Sequence, residues 1–319
     1  MSKLLNLNLL CLIVILNLNL KFASAYKCEF KNTKYWVGSY YSCNILPNSN
    51  KAQKHFAGKN DNDVKAVVFY GGKLRIQRFS KSEASFFDRF QTLNSISVNA
   101  VKSIDGNSIQ KFGDLKVFEL ANTEVRELPE NFFSGNSKLH EIILTDNKLT
   151  SLPENIFANL KELKFLRLEK SQLNDLPANI FKPLKKIKIL SLEGNKIQTL
   201  NPAWFEPLGH LEKLVIGYNQ ISDLPKNIFS SLVNLDFLAA DFNRLTTIHA
   251  DSFGDIKELY FVTFSDNKIN AIDGKIVDIF KLDWLGVDNN VCIKDFIFQL
   301  ATAKQELKAC FDNYQPRNQ

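Results

Sequence analysis

Several kinds of residue in this chain could do chemistry, and their spacing sorts them. His55, His140, His210 and His249 show no metal-ligand spacing, and no glycine-rich phosphate loop or nucleophile elbow accompanies them. Asp241 and Asp266 could make an acid/base pair or a calcium site. Acidic residues are common on any exposed sheet, however, so no catalysis, resident metal or cofactor is expected. Cys28, Cys43, Cys292 and Cys310 form an even set split between the two ends. The aromatic residues are ordered more tightly. Tyr218 and Phe242 are 24 residues apart, as are Phe237 and Phe261, with Tyr260 and Trp284 beside them. Large aromatics gathered on one solvent face are the material of interface hot spots.

That spacing is the period of the chain. Starts fall at Leu115, Leu139, Leu163, Ile187, Leu211, Leu235 and Leu259, and the copies read LKVFELANTEV, LHEIILTDNKL, LKFLRLEKSQL, IKILSLEGNKI, LEKLVIGYNQI, LDFLAADFNRL and LYFVTFSDNKI. Self-similarity at such a period signals a solenoid. Apolar first, fourth and sixth places suit a short strand that buries one face and turns the other outward. Stacking one strand per copy makes a parallel sheet. Asn147, Asn195, Asn219, Asn243 and Asn267 hold the ninth place, where an amide can satisfy backbone groups of neighbouring copies. Thr123 and Ser171 replace it in two copies, and their hydroxyls are expected to make a shorter rung, with local loosening as the alternative.

The second half of each copy builds the opposite wall. Leu128, Leu152, Leu176, Leu200 and Leu224 recur, mostly followed by Pro129, Pro153, Pro177 and Pro225, which favours an extended or turn-like backbone. Phe133, Phe157, Phe181, Phe205, Phe229 and Phe253 form a ladder at the nineteenth place, read as core packing. The copies resemble the leucine-rich-repeat phrase LxxLxLxxNxL. The resemblance implies an α/β repeat fold, a curved leucine-rich-repeat solenoid with a parallel sheet on its concave face, which in that family is the usual binding surface. It also extends to the disulfide-capped plan of secreted insect-type members.

The ends set the organisation. Residues 1–25 carry Lys3, the apolar run Leu9 to Leu16, and Ala23-Ser24-Ala25, the pattern of a cleaved export signal. Residues 26–63 are expected to form an amino-terminal cysteine cap, with a hairpin around Val37-Gly38. Residues 64–291 carry the repeats. Starts at 64, 93, 115, 139, 163, 187, 211, 235, 259 and 282 give ten strands, with Arg75 to Phe90 bulging outward. Residues 292–319 form a carboxy-terminal cap and tail, with an amphipathic helix burying Phe296, Leu300, Leu307 and Phe311. Of the five cysteines, Cys11 falls in the export signal; the remaining four allow three pairings, and proximity favours Cys28 with Cys43 and Cys292 with Cys310. The formal net charge of +6 is too mild to argue for nucleic acid, and no membrane span or Asn-x-Ser/Thr sequon follows residue 25.

The second, third, fifth, seventh and eighth places should face the hollow. There Phe237, Phe261 and Trp284 are expected side by side on an exposed face, with Tyr218, Phe242 and Tyr260 close by. The alternative is that the carboxy-terminal cap or a loop covers them. Glu169 and Glu193 are expected to pair with Lys164, Arg167 and Lys188 on the same or adjacent strands, while Lys182, Lys185, Lys186 and Lys188 read as a solvated edge, with an anionic glycan as the alternative. The functional expectation is secretion to the extracellular space and binding of an extracellular protein ligand or co-receptor. Family resemblance points to innate immunity; cell adhesion, matrix organisation or a homodimer is the alternative.

Overall fold

A computed structural model describes the backbone of residues 26–35, 38–47, 64–70, 78–79 and 278–279, and both backbone and side chains of 93–254, 256, 258–277, 283–294 and 304–317. The export signal, the expected loop from Pro47 to Asp63 apart from Pro47 itself, most of the bulge from Arg75 to Phe90, and Phe296 and Leu300 of the cap lie outside these residues. The chain divides into two compact units, Met1–Leu149 and Thr150–Gln319.

In the first unit, strand β1 (Tyr26–Tyr35) pairs antiparallel with β2 (Gly38–Pro47). From there the sheet is parallel. β2 pairs with β3 (Val64–Tyr70), followed by β5 (Ser95–Asn99), β7 (Val117–Ala121) and β8 (Glu141–Thr145). A minor pair, β4 (Arg78–Phe79) with β6 (Ser103–Ile104), lies beside it. The fourth and sixth places are fully buried in Ile96, Val98, Phe118, Leu120, Ile142 and Leu144. Phe118 meets Phe132 and Phe133 edge-on, at centroid distances of 5.6 and 5.5 Å.

The second unit repeats the scheme with shorter strands: β9 (Phe165–Arg167), β10 (Ile189–Ser191), β11 (Lys213–Val215), β12 (Phe237–Ala239), β14 (Phe261–Thr263) and β16 (Trp284–Gly286), all parallel and in register. Thus a strand lies at each of the ten expected starts. β13 (Thr247–Ile248) and β15 (Ala271–Ile272) pair separately. The wall opposite the strands consists of turns, with the amide three residues on returning to the carbonyl of Pro153, Pro177 and Pro225. Short helical turns replace them at Pro202–Phe205, Ala250–Ser252 and Ile276–Ile279, the first capped by the Asn201 side chain on the Ala203 amide at 3.0 Å. The phenylalanine ladder is buried throughout; Phe229 meets Phe205 at 5.7 Å and Phe253 at 5.5 Å.

Asparagine joins the copies. Asn195, Asn219, Asn243, Asn267 and Asn290 each donate to a carbonyl one copy back, at 2.6 to 3.0 Å. Each also accepts a backbone amide from the preceding copy, between Leu173 and Ile269. In the first unit the Thr123 hydroxyl donates to Asn147 and accepts the Val125 amide, so its rung is made. Ser171 differs from expectation. Its hydroxyl is buried without a hydrogen-bond partner, because a serine is shorter than the asparagine whose place it takes.

The carboxy-terminal segment closes one edge of the second unit. Cys292 and Cys310 form a disulfide with a Cα–Cα distance of 5.1 Å. Leu307 and Cys310 are fully buried, whereas Phe311 is only half-buried and lies over Gly274. Residues 304–306 and Lys308–Asp312 are helical here, with Leu307 and Cys310 turned inward and Phe311 at the rim. Beyond it, Tyr314 shares a hydrogen bond with His249 at 3.1 Å. Arg317 reaches Asp251 at 3.1 Å and Asp223 at 3.3 Å, and donates to the Leu224 carbonyl.

Candidate functional site

On the solvent side of the second unit's strands, the third place carries Phe165, Ile189, Lys213, Phe237, Phe261 and Trp284. Parallel register puts the last three on adjacent rungs. Phe237 and Phe261 stack at 4.8 Å and 9°, and Phe261 and Trp284 at 5.5 Å and 2°. The sequence placed the three rings on an exposed face; in the structure they are half-buried, because each covers the face of its neighbour. Lys213 stands at the end of the row with Nζ 5.8 Å from the Phe237 centroid, a cation resting on the terminal ring.

Tyr218 and Phe242 make a second stack at the eighth place, at 4.2 Å and 13°. They are the more open pair, 53% and 42% exposed, and Tyr260 is 37% exposed with its hydroxyl on Glu258. The backbone under this second stack is unusual. Tyr218 and Phe242 both have φ of +52°, in the left-handed region where a side chain strains the chain. The whole eighth place shares it: Lys170, Asp266 and Asn289 have φ of +47°, +54° and +55°, and Gly194 +71°. Glycine, asparagine and aspartate fit that conformation readily. Two aromatic rings do not.

The seventh place runs Glu169, Glu193, Gly217, Asp241, Ser265 and Asp288. Asp241 accepts the Thr263 hydroxyl and, at 2.9 Å, the Ser265 amide, while the Ser265 hydroxyl donates to Asp288 at 2.5 Å. Gly286 belongs to this arrangement, since a Cβ there would come within 2.6 Å of the Thr263 hydroxyl. Burial pushes the Asp241 carboxyl above its ordinary range, against the pull of those hydrogen bonds. Burial also raises Glu193, with repulsion from Glu169 adding to it. The expected cross-strand neutralisation of Glu193 by Lys188 is not formed. Lys188 instead bonds Glu212 at 2.5 Å, because both stand at the second place on adjacent strands.

Among the described residues, the carboxy-terminal segment does not lie over the rings. It meets Asp223, Leu224, His249, Asp251, Asn270 and Gly274, beside β13 and β15 and not the strands that carry the rings. No cluster of three His, Cys, Asp or Glu side chains among the described residues is placed to hold a metal ion, and no described helix is long and apolar enough to cross a membrane. His249 is engaged with Tyr314, and Asp266 donates its backbone amide to the Asp288 carbonyl. Cys292 and Cys310 are joined, while the side chains of Cys28 and Cys43 lie outside the described residues. The sequence singled out Asp241 but set it with Asp266 rather than with Ser265 and Asp288, which share its place of the repeat.

The fold is a leucine-rich-repeat solenoid, and family comparison agrees. The leucine rich repeat model matches residues 113–173, 137–197, 162–221 and 185–245. Two solved structures of the Toll–Spatzle complex, described as a molecular hub in Drosophila development and innate immunity, are similar. One has 26% identity and a TM-score of 0.63 over 71% of this chain. The other, a glycosylated form, has 27% identity and a TM-score of 0.61 over 67%. This chain spans 30% and 29% of those chains' lengths. No curated protein matches the sequence.

Proposed function

We propose that this chain is a secreted, non-catalytic binding protein that engages an extracellular protein ligand or co-receptor through the ring-bearing sheet face of its second unit. The observation that carries the reading is the pair of ring stacks on the solvent side of a rigid parallel ladder. Aromatic side chains held rigidly at a surface give large contact area for little lost freedom, the property that makes them anchors at interfaces. Support for export comes from the pattern of residues 1–25 and from a disulfide in the carboxy-terminal region, which suits an oxidising compartment. Likeness to Toll in its complex with Spatzle favours innate immune recognition over adhesion or matrix organisation.

The test uses two baits in extracellular fluid from the source organism: the chain from Tyr26 onward, and its Phe237→Ala, Phe261→Ala, Trp284→Ala variant. Circular dichroism first establishes that both are equally folded. A partner held only by the unmodified bait supports the reading, and recovery of the chain's own copy points to the homodimer. Equal retention of the same partners by both baits overturns the assignment of this face.

A further inference from the structure

An aromatic ridge alone does not choose its partner; the charge around it does. Within each stack the rings face one another, so they present mainly apolar edges outward. At the hollow-facing places of the four repeats that carry them, Asp236, Asp241, Asp266, Asp283 and Asp288 stand against one lysine, Lys213, while Glu212 is already paired with Lys188. This is an acidic surface on a chain whose formal net charge is +6.

These acids are poorly neutralised from within. Asp241 and Asp288 are held by the hydroxyls of Thr263 and Ser265, which carry no charge. Glu193 has no ion pair among the described residues, and Gly217 places no side chain between it and Asp241. Burial and mutual repulsion hold Glu193 above its ordinary range, and burial does the same for Asp241 and Asp236. A carboxylate in that condition gains most from an incoming cation. Lys213 resting over Phe237 already shows an ammonium accepted at the end of one ring row.

We propose that this face docks a basic segment of a partner protein, its apolar side chains lying on the two ring stacks and its lysine or arginine side chains meeting Glu193, Asp241 and Asp288. The inference rests on the binding role proposed above and names the chemistry of the partner. A second copy of this chain fits poorly, since a two-fold contact through this face would set the acidic rows against each other. Anionic glycans and nucleic acids are repelled for the same reason.

The experiment is selection of random twelve-residue peptides, displayed on phage, against the chain from Tyr26 onward. Selected peptides are then synthesised and titrated by fluorescence anisotropy against three proteins. These are the unmodified chain, the Tyr218→Ala, Phe242→Ala variant, and the isosteric Glu193→Gln, Asp288→Asn variant. The expected result is enrichment of lysine and arginine next to aromatic or aliphatic residues, with binding abolished by the ring variant and weakened about tenfold by the charge variant. Raising salt should weaken the unmodified chain more than the charge variant. Neutral or acidic peptides that still need the rings would overturn the charge inference while leaving the binding face intact. Peptides indifferent to the ring variant, or no enrichment at all, would overturn both. Superimposable melting curves for the three proteins exclude loss of fold as the cause.

Discussion

A bulky ring on a left-handed residue is held there at a cost. An ordinary residue pays about 1–2 kcal/mol for that conformation, and an exposed stacked pair returns about 0.5–1.5 kcal/mol. Asparagine fits the same φ with less strain. Phe242→Asn should therefore leave the melting temperature unchanged to within about 2 °C, or raise it, although an aromatic contact is deleted. A fall of the size seen on truncating a core phenylalanine would make Phe242 a structural residue. Ser171 offers the converse case. Its buried hydroxyl lacks a partner, whereas Asn195 and Asn219 at the equivalent place also reach the carbonyl three residues back. Ser171→Asn should supply that bond to Leu168 and raise stability by about 1 kcal/mol in urea denaturation. Neither effect was legible in the sequence. Tyr218, Phe242 and Lys170 do not advertise a positive φ, and a missing rung looks the same as a short one until the distances are known.

At the scale of elements, the carboxy-terminal segment is tied down by groups that respond to acid. His249 lies in the contact with Tyr314, and burial together with the nearby Arg317 guanidinium holds its imidazole below the ordinary value of 6.5. Asp251, Asp223 and Asp273 pull the other way without prevailing. A lowered folded value means that the neutral imidazole is favoured in the native state. The stability it contributes is present above the ordinary histidine range and is lost as pH falls through the lowered value. Tyr314, pushed up to about 12, keeps its proton throughout that interval. Amide exchange over residues 304–317, corrected for its intrinsic rate, should thus be faster at pH 5 than at pH 7.5. His249→Gln should flatten the difference. An unchanged difference in that variant would move the acid response to the Arg317 carboxylate pairs.

For the molecule as a whole, what repeats is what could be read. Leu214, Leu238 and Val262 recur at one place and are all fully buried, so strands, core and asparagine ladder followed from the period. Choices between equivalent partners were not legible: Lys188 can reach an acid on its own strand or the next, and only the fold decides for Glu212. The same holds for Phe311, where the facing of the closing helix sends Leu307 and Cys310 rather than Phe311 into the core. The parallel register of the ladder also makes it a ruler. Its graduations fall about 4.8 Å apart, whereas side chains on one side of an extended segment repeat about every 6.8 Å. Two such scales laid together coincide only at intervals, as on a vernier. Glu193, Asp241 and Asp288 stand two graduations apart in turn, close to three residues of extended chain. Successive cations three residues apart point to opposite sides of such a strand. A segment that satisfies all three marks must therefore twist or turn as it crosses, and this ladder measures partners by their bend as well as by their charge.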